Sequence, residues 1–462
     1  MDKFVKRYVR CVEMRSSMNN ITDMTKGNSL QLILRFTAPL LIGNLFQQLY
    51  NMVDSVVVGN YVGANALAAV GACGSINFLF FSLSSGLAIG IGIMVAQYFG
   101  AKHDELVSRT IINGTYLLVV ASILVSLICY FFAEPILSLL GTPDEIIVDS
   151  AVYLKTISIG IIAVALYNGV ASVLRALGDS KTPLYFLILA SVVNVVLDLV
   201  FVLWCNMGVF GVGLATIIAQ YISAAASVVF ACWKVSYFKV KKEQCRVDND
   251  IIMKALKLGT PVALQNSMIA ISCIALQGVV NSFGATVMAT YTIIGRIEQV
   301  VQQPYSSLGT ALTNYTGQNI GAGLQERVRK GYWQCVFIVL IFSLILIPVA
   351  YLFGEPIIRF FVKEPEVIQM GVKALRINSL CYFALGMIYV PRALLNGCGD
   401  TAFAMFNGFT EVVCRILFSQ ILTRIPLLGY WGIWITTAAT WTVTAIVCVV
   451  RYASGIWKRK KI

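Results

Sequence analysis

The sequence predicts an all-α membrane protein. It has twelve transmembrane helices in two six-helix lobes, related by a pseudo-two-fold axis along the membrane normal. Three observations lead there. First, 58% of the 462 residues are hydrophobic and only 12% are charged, with a mean hydropathy of +0.79. A soluble domain carries about 25% charged residues, and a water-soluble fold cannot hide this much apolar surface, so lipid must solvate much of it. Second, twelve apolar runs reach the length of about 20 residues that a bilayer-crossing helix needs. Third, the chain repeats itself at one fixed offset.

The runs lie near 33–60, 66–98, 109–132, 147–174, 183–205 and 210–232, then near 255–282, 287–319, 332–353, 367–395, 402–424 and 431–452. Several exceed the minimum length, so tilt or extension past the headgroups is expected. Lys and Arg choose the side. They gather before the first run (Lys3, Lys6, Arg7, Arg10, Arg15, Lys26), in alternate loops (Lys102, Arg109; Arg175, Lys181; Arg327, Arg329, Lys330), in the linker Lys234 to Arg246, and at the end (Lys458 to Lys461). The loops from Glu134 to Glu145 and from Cys205 to Gly211 have none, while Arg359, Lys363 and Arg424 are exceptions on the outer side. The positive-inside rule then places both termini in the cytoplasm of a protein of the plasma (inner) membrane. The net charge of +13 therefore marks a cytoplasmic face, with no nucleic-acid partner implied.

A shift of 221 residues superposes the halves. Glu134-Pro135-Ile136 meets Glu355-Pro356-Ile357, Gly178-Asp179 meets Gly399-Asp400, and Gln97, Gly100 and Ala101 meet Gln318, Gly321 and Ala322. Chance apolar similarity would not hold Glu-Pro and Gly-Asp pairs in register. Each copy has an even number of crossings, so both enter from the same side, as a parallel repeat does. The expected organisation is a cytoplasmic tail over 1–28, a first lobe over 29–232, a cytoplasmic linker over 233–254, a second lobe over 255–452 and a basic cytoplasmic tail over 453–462. The 1–26 stretch has no apolar run of its own, so it reads as a tail and not a cleavable signal, with Met14, Met18 or Met24 as alternative starts.

Polar residues inside the runs point to function. Ionisable groups at a membrane helix centre cost about 2.5–3.5 kcal/mol each on insertion scales and need a compensating reason. The first run carries Asn44, Gln47, Gln48, Asn51 and Asp54 on one helical face. That face must look into protein or a wet cavity. The fifth run carries Asn194 and Asp198 one turn apart, the fourth Asn168 and the sixth Thr216. If these helices form a bundle, the five groups converge. A carboxylate held out of water can take up a proton near neutrality, and the same oxygens suit a small hard cation such as Na+. A hydrogen-bond network that only fixes helix packing stays open as the alternative.

The second half differs. Its first run offers Gln265, Asn266, Gln277 and Asn281 but no carboxylate, and charge appears as Arg296 and Glu298 on the next run and as Glu411 and Arg415 on the eleventh. Glu411 and Arg415, one turn apart, are placed to pair as a neutralised buried network. A cleft between the lobes is expected to expose Gln47, Gln48, Asn51, Asn266, Gln277, Glu298, Gln302, Glu411 and Arg415 to a small-molecule substrate. The twelve cysteines form no CxxC pair, and His103 is the single histidine. No HExxH motif or nucleophile-base pair occurs, so neither an enzyme nor a cofactor is expected.

These residues carry a resemblance. Ala38-Pro39 with Gln47 to Asp54, Arg175-Ala176-Leu177-Gly178-Asp179, Asn194 to Asp198, and Gly317-Gln318-Asn319-Ile320-Gly321-Ala322 resemble the multidrug and toxic compound extrusion (MATE) family, most of all its DinF-like bacterial members. The resemblance covers about residues 29–452. It implies a monomeric antiporter that expels amphipathic, often cationic compounds against a proton or sodium gradient. It also implies that Asp54, Asn168, Asn194, Asp198 and Thr216 match the family's cation-site positions, and that the first helix bends at Pro39. Other members place a carboxylate on the seventh span, which this chain lacks. A lipid-linked oligosaccharide flippase of the same superfamily is the rival, but such clefts tend to be cationic, and this first-lobe face is acidic and amide-rich. A major-facilitator transporter also has six plus six helices, but Phe99 to Arg109 matches its Gly- and Arg-rich loop only weakly.

Overall fold

The computed structural model describes residues 21–239 and 241–459. Lys3, Lys6, Arg7, Arg10, Arg15, Met14, Met18, Lys460 and Lys461 lie outside them. Among the described residues the chain is helical, with no strand. In the first half, α1 (Ser29–Val57) runs on through a π turn, Val58–Val62. Then follow α2 (Ala64–Ala72), α3 (Gly74–Gly100), α4 (Asp104–Phe131), the short α5 (Ala133–Leu139), α6 (Asp144–Ala176), α7 (Lys181–Leu199) with a π turn, Val200–Trp204, and α8 (Gly208–Lys234). The second half comprises α9 (Asn249–Asn281), α10 (Ala285–Gly321), α11 (Gln325–Arg359), α12 (Pro365–Ser379), α13 (Tyr382–Gly397), α14 (Thr401–Leu422) and α15 (Gly432–Ala453). Acidic residues open several of these, as Asp104 and Glu105 do in α4 and Asp144 and Glu145 in α6. Basic residues close α6 at Arg175 and α11 at Arg359, so charge complements the helix dipole at both ends.

Among the described residues, ten spans are long and apolar enough to cross a bilayer. Two of the expected runs depart from a simple apolar helix. The 367–395 run is two helices, α12 and α13, bent by 46° at a break of two residues. No Gly or Pro marks this break. Ser379 Oγ donates to the Arg376 carbonyl at 2.8 Å in the last turn of α12. The 287–319 run lies in α10, which spans 37 residues but falls outside the apolar set because Arg296, Glu298, Gln299, Gln302 and Gln303 crowd its middle. With α10 and the bent pair, the ten become twelve crossings.

Packing divides the described chain into two units: residues 21–24 with Ala38–Ala263, and Thr25–Thr37 with 264–459. The chain changes unit inside α1, just before Pro39, and inside α9, just after Pro261. In the first unit, α6 is the pillar. A Cβ at Gly213 of α8 would lie 3.0 Å from the Thr156 side chain of α6, so the two helices touch along small residues. Helix α3 meets the first part of α9 more closely still. A Cβ at Gly90 would lie 2.6 Å from the Gly259 nitrogen, and one at Gly86 2.5 Å from Ala263. Val58, Cys73, Leu137, Leu154 and Val212 form an apolar core that joins the π turn after α1 to α5, α6 and α8. In the second unit the core joins Leu276, Ile294, Ile358, Leu375 and Trp434. The start of α1 is fastened there by Tyr315, whose hydroxyl lies 2.7 Å from Ser29 Oγ, and by Arg327, which donates to the Gly27 carbonyl at 2.9 Å. Large side chains such as Val229, Trp233, Leu344 and Leu352 are exposed, as a surface solvated by acyl chains requires.

The repeated Gly-Asp pair has a structural job. Gly178 and Gly399 adopt φ of 91° and 88° and end α6 and α13. The following amides, Asp179 and Asp400, reach back 2.9 Å to Leu174 and Leu395, the six-to-one bond of a glycine helix stop. Asp179 then accepts from the Lys181 and Thr182 amides at 3.0 Å each and so heads α7. Asp400 stands at the start of α14 and holds Arg451 at 2.8 Å.

Candidate functional site

Within the first unit, α1, α7 and α8 bring four of the five expected ion-site residues together. The polar stripe of α1 places Asp54 against α7, where its carboxyl hydrogen-bonds with that of Asp198. An ionised carboxylate only accepts hydrogen bonds, so a bond between the two requires a proton on one of them. One turn before Asp198, Asn194 donates from Nδ2 to Thr216 Oγ1 of α8 at 3.2 Å, and Thr216 donates to the Val212 carbonyl at 3.0 Å. Asn194 and Asp198 are buried, while Asp54 and Thr216 are half-buried. Asp54 Oδ1 is enclosed and has no hydrogen-bond partner. The fifth residue, Asn168 of α6, is buried with its Nδ2 unpaired, and no bond ties it to the other four.

Two tyrosines that the sequence reading passed over belong here. The Tyr50 hydroxyl hydrogen-bonds Thr216 and lies close to both carboxyls. Tyr50 sits one turn before Asp54, so the helical face that flagged Asp54 also carried it. Tyr153 of α6 is buried beside Tyr50, Asp54 and Asp198, in an apolar stretch that gives no such signal. The site thus offers two carboxyls, two phenols, a hydroxyl and an amide, all oxygen donors suited to a proton or a hard monovalent cation. Among the described residues, no group of three or more His, Cys, Asp or Glu side chains is placed to hold a metal ion.

The rest of the α1 stripe is less enclosed. Gln47 and Gln48 are half-buried and Asn51 is exposed. Pro39 is buried within α1, which continues through it as one helix.

The second unit builds a different cluster. Arg415 of α14 donates from Nη2 to Glu411 Oε1 at 2.9 Å, and both side chains are almost fully buried. Arg415 also donates from Nη1 to Cys273 Sγ of α9 at 3.2 Å. Glu298 of α10 accepts a hydrogen bond from Asn378 Nδ2 of α12 and lies within electrostatic reach of Arg415. One turn on, Gln302 accepts from the Tyr389 hydroxyl at 3.2 Å. On α9, Gln277 donates to Asn281 at 2.8 Å and Asn266 is half-buried. Glu298, Glu411 and Arg415 are therefore grouped by α10 and α14, whereas Gln302 bonds Tyr389 of α13 and Gln277 bonds within its own helix.

A duplicated helical membrane fold with carboxyls sheltered among its spans defines a polytopic transporter. The comparisons narrow that class. The MatE family model matches residues 39–200 and again 261–421, so the two matches fall in the register of the internal repeat. The chain belongs to the MatE family. It is 31% identical to the probable multidrug resistance protein YpnP of Bacillus subtilis, over 95% of this chain and 98% of that protein. It is 27% identical to the probable multidrug resistance protein YoeA of the same organism, over 92% and 94%. Among solved structures, it matches an outward-facing multidrug resistance MATE family transporter of the MOP superfamily with a TM-score of 0.89 at 22% identity, covering 96% of this chain and 99% of that one. A MOP superfamily transporter from Pyrococcus furiosus, described by the reverse polarity of its binding pocket, matches with a TM-score of 0.88 at 22% identity, over 95% and 98%.

Proposed function

We propose that this chain is a cation-coupled antiporter of the plasma membrane, with both termini cytoplasmic, that exports small amphipathic and often cationic organic compounds by alternating access. The relatives named for multidrug resistance and multidrug export support the cargo class. The observation that carries the coupling reading is the Asp54–Asp198 hydrogen bond inside the first unit. A shared proton joins α1 to α7. Its departure leaves two like charges side by side, which separate or take Na+ in its place. Tyr50, Thr216 and Asn194 supply the further oxygens for that ion, and Asn168 is the fifth residue assigned to it. A cation arriving or leaving therefore changes how α1 is held, and Pro39, where the i to i−4 ladder is broken, is where α1 yields. Gln47, Gln48, Asn51, Asn266, Gln277, Glu298, Gln302, Glu411 and Arg415 are assigned to the substrate. Amides around a few charges fix little beyond polarity, which suits broad selectivity.

The test is efflux of a fluorescent cation from proteoliposomes under imposed proton or sodium gradients. Transport that follows one gradient in the wild type and is lost in both Asp54→Asn and Asp198→Asn is expected. Transport indifferent to either gradient would overturn the reading.

A further inference from the structure

The 221-residue repeat allows the first-unit site to be looked up in the second unit, position by position. Thr216 of α8 becomes Thr437 of α15, which bonds back to its own helix at the Ile433 carbonyl just as Thr216 does at Val212. Asp54 becomes Ala275, and Asp198 becomes Ser419, so both carboxylates are gone. Asn194, which donates to Thr216, becomes Arg415. The side chain at that place is thus itself a cation. Glu411, one turn earlier on α14, supplies its counter-charge at 2.9 Å, from a position that is Ala190 in the first unit. Cys273 accepts the second guanidinium nitrogen, and Tyr291 and Glu298 lie within electrostatic reach of the group.

We propose that the second unit carries its cation covalently. The Arg415 guanidinium fills, with Glu411 as its anion, the site that the first unit leaves to an exchangeable ion, and taking the guanidinium away uncovers a monovalent-cation site that depends on Glu411. A fixed charge cannot be exchanged, so ion traffic is confined to the first unit. The inference rests on reading Asp54 and Asp198 as that first site. A protein with two exchangeable sites would need a removable ion in both units. Here the second holds a group with five N–H donors that stays ionised at every accessible pH.

The experiment uses the purified full-length protein in detergent, with thermal unfolding read in choline, Na+ or millimolar guanidinium. All variants carry Asp54→Asn and Asp198→Asn, so the first-unit site is silent. In that background, no ion-specific shift in Tm is expected. Adding Arg415→Ala should lower Tm in choline and restore it by several degrees in Na+ or guanidinium, since a ligand that binds only the folded state raises its stability. Adding Glu411→Gln as well should remove the ion response while returning much of the lost stability, because a neutral pair needs no counter-ion. Arg415→Lys should keep the site closed and show no ion response. An Arg415→Ala protein with the same Tm in all three salts overturns the proposal, and so does an ion response that survives Glu411→Gln. If Arg415→Ala does not fold in choline, recovery of folded protein during purification in Na+ or guanidinium supports the proposal, and failure in every salt overturns it. None of these readings depends on transport, so a failed efflux test of the first site is told apart from a failed second one.

Discussion

The Asp54 and Asp198 carboxyl groups, on α1 and α7, hydrogen-bond to each other within the first unit. The bond spans 144 residues of sequence and exists only while a proton is shared. It joins a helix that changes unit near Pro39 to a helix that stays in one unit. Neutralising either residue should therefore separate folding from coupling. In Asp54→Asn and in Asp198→Asn an amide can still bond the remaining carboxyl, so insertion and thermal stability are expected to stay near wild type. Gradient-driven efflux should fall to the level of empty vesicles. Parallel measurement of Tm and dye efflux checks both halves of this expectation, and a variant that transports at the wild-type rate removes the pair from the mechanism.

The contact between α3 and α9 sets a steric limit in the same unit. A Cβ at Gly90 would lie 2.6 Å from a backbone nitrogen, where no side chain can move aside. Gly90→Leu should cost about 3 kcal/mol or more, since overpacking alone typically costs about 1–3 kcal/mol even where neighbours can shift. Folded yield and Tm in detergent should both drop. Gly71→Ala is the matched control. Its added methyl meets nothing within 4 Å, and alanine favours a helix over glycine, so its Tm should stay at or slightly above the wild-type value.

Much of this arrangement was legible in the sequence, and the exceptions have physical causes. The stripe from Asn44 to Asp54 was readable because a polar face inside an apolar helix must be turned away from lipid. The offset of 221 was readable because Gly178-Asp179 and Gly399-Asp400 do one capping job twice, and only glycine takes that left-handed position without strain. The break between Ser379 and Tyr382 was invisible because no Gly or Pro stands at it. Tyr153 was invisible because a buried tyrosine in an apolar helix reads as core until its neighbours are known. The polarity of α10 was plain in Arg296, Glu298 and Gln302. That Glu298 is held by Asn378 from another helix was not, since no spacing rule links positions 80 apart.

Asp179 supplies a pH test outside the spans. Burial pushes its carboxyl above the ordinary carboxylate range, because the charged form is disfavoured there. The hydrogen bonds from Thr182 and Lys181 oppose this less strongly. A carboxyl whose folded-state pKa is raised contributes stability that is complete below its unfolded value and is lost as pH rises through the folded value. Asp179→Asn removes the titration and keeps an oxygen for the Lys181 and Thr182 amides. The Tm of the variant relative to wild type should therefore grow more favourable between about pH 4 and pH 7. A Tm difference that is flat or shrinks over that range contradicts the assignment.

Tyr50 separates ion binding from ion dependence. Its hydroxyl hydrogen-bonds Thr216 and lies close to both carboxyls, yet it is a neutral phenol and not one of the two acidic groups proposed to hold the coupling ion. Tyr50→Phe keeps the ring and its packing and deletes one oxygen ligand. Losing one such bond is worth about 1 kcal/mol, or roughly a fivefold change in affinity. The expected result is efflux with an unchanged maximum rate and a coupling-ion concentration for half-maximal rate raised roughly fivefold. Thr216→Val removes the partner of the same bond, so combining the two should cost less than the sum of the separate effects. Strict additivity of the two variants would show that the hydroxyls act separately, and an unshifted ion dependence in Tyr50→Phe would take Tyr50 out of the ion's surroundings.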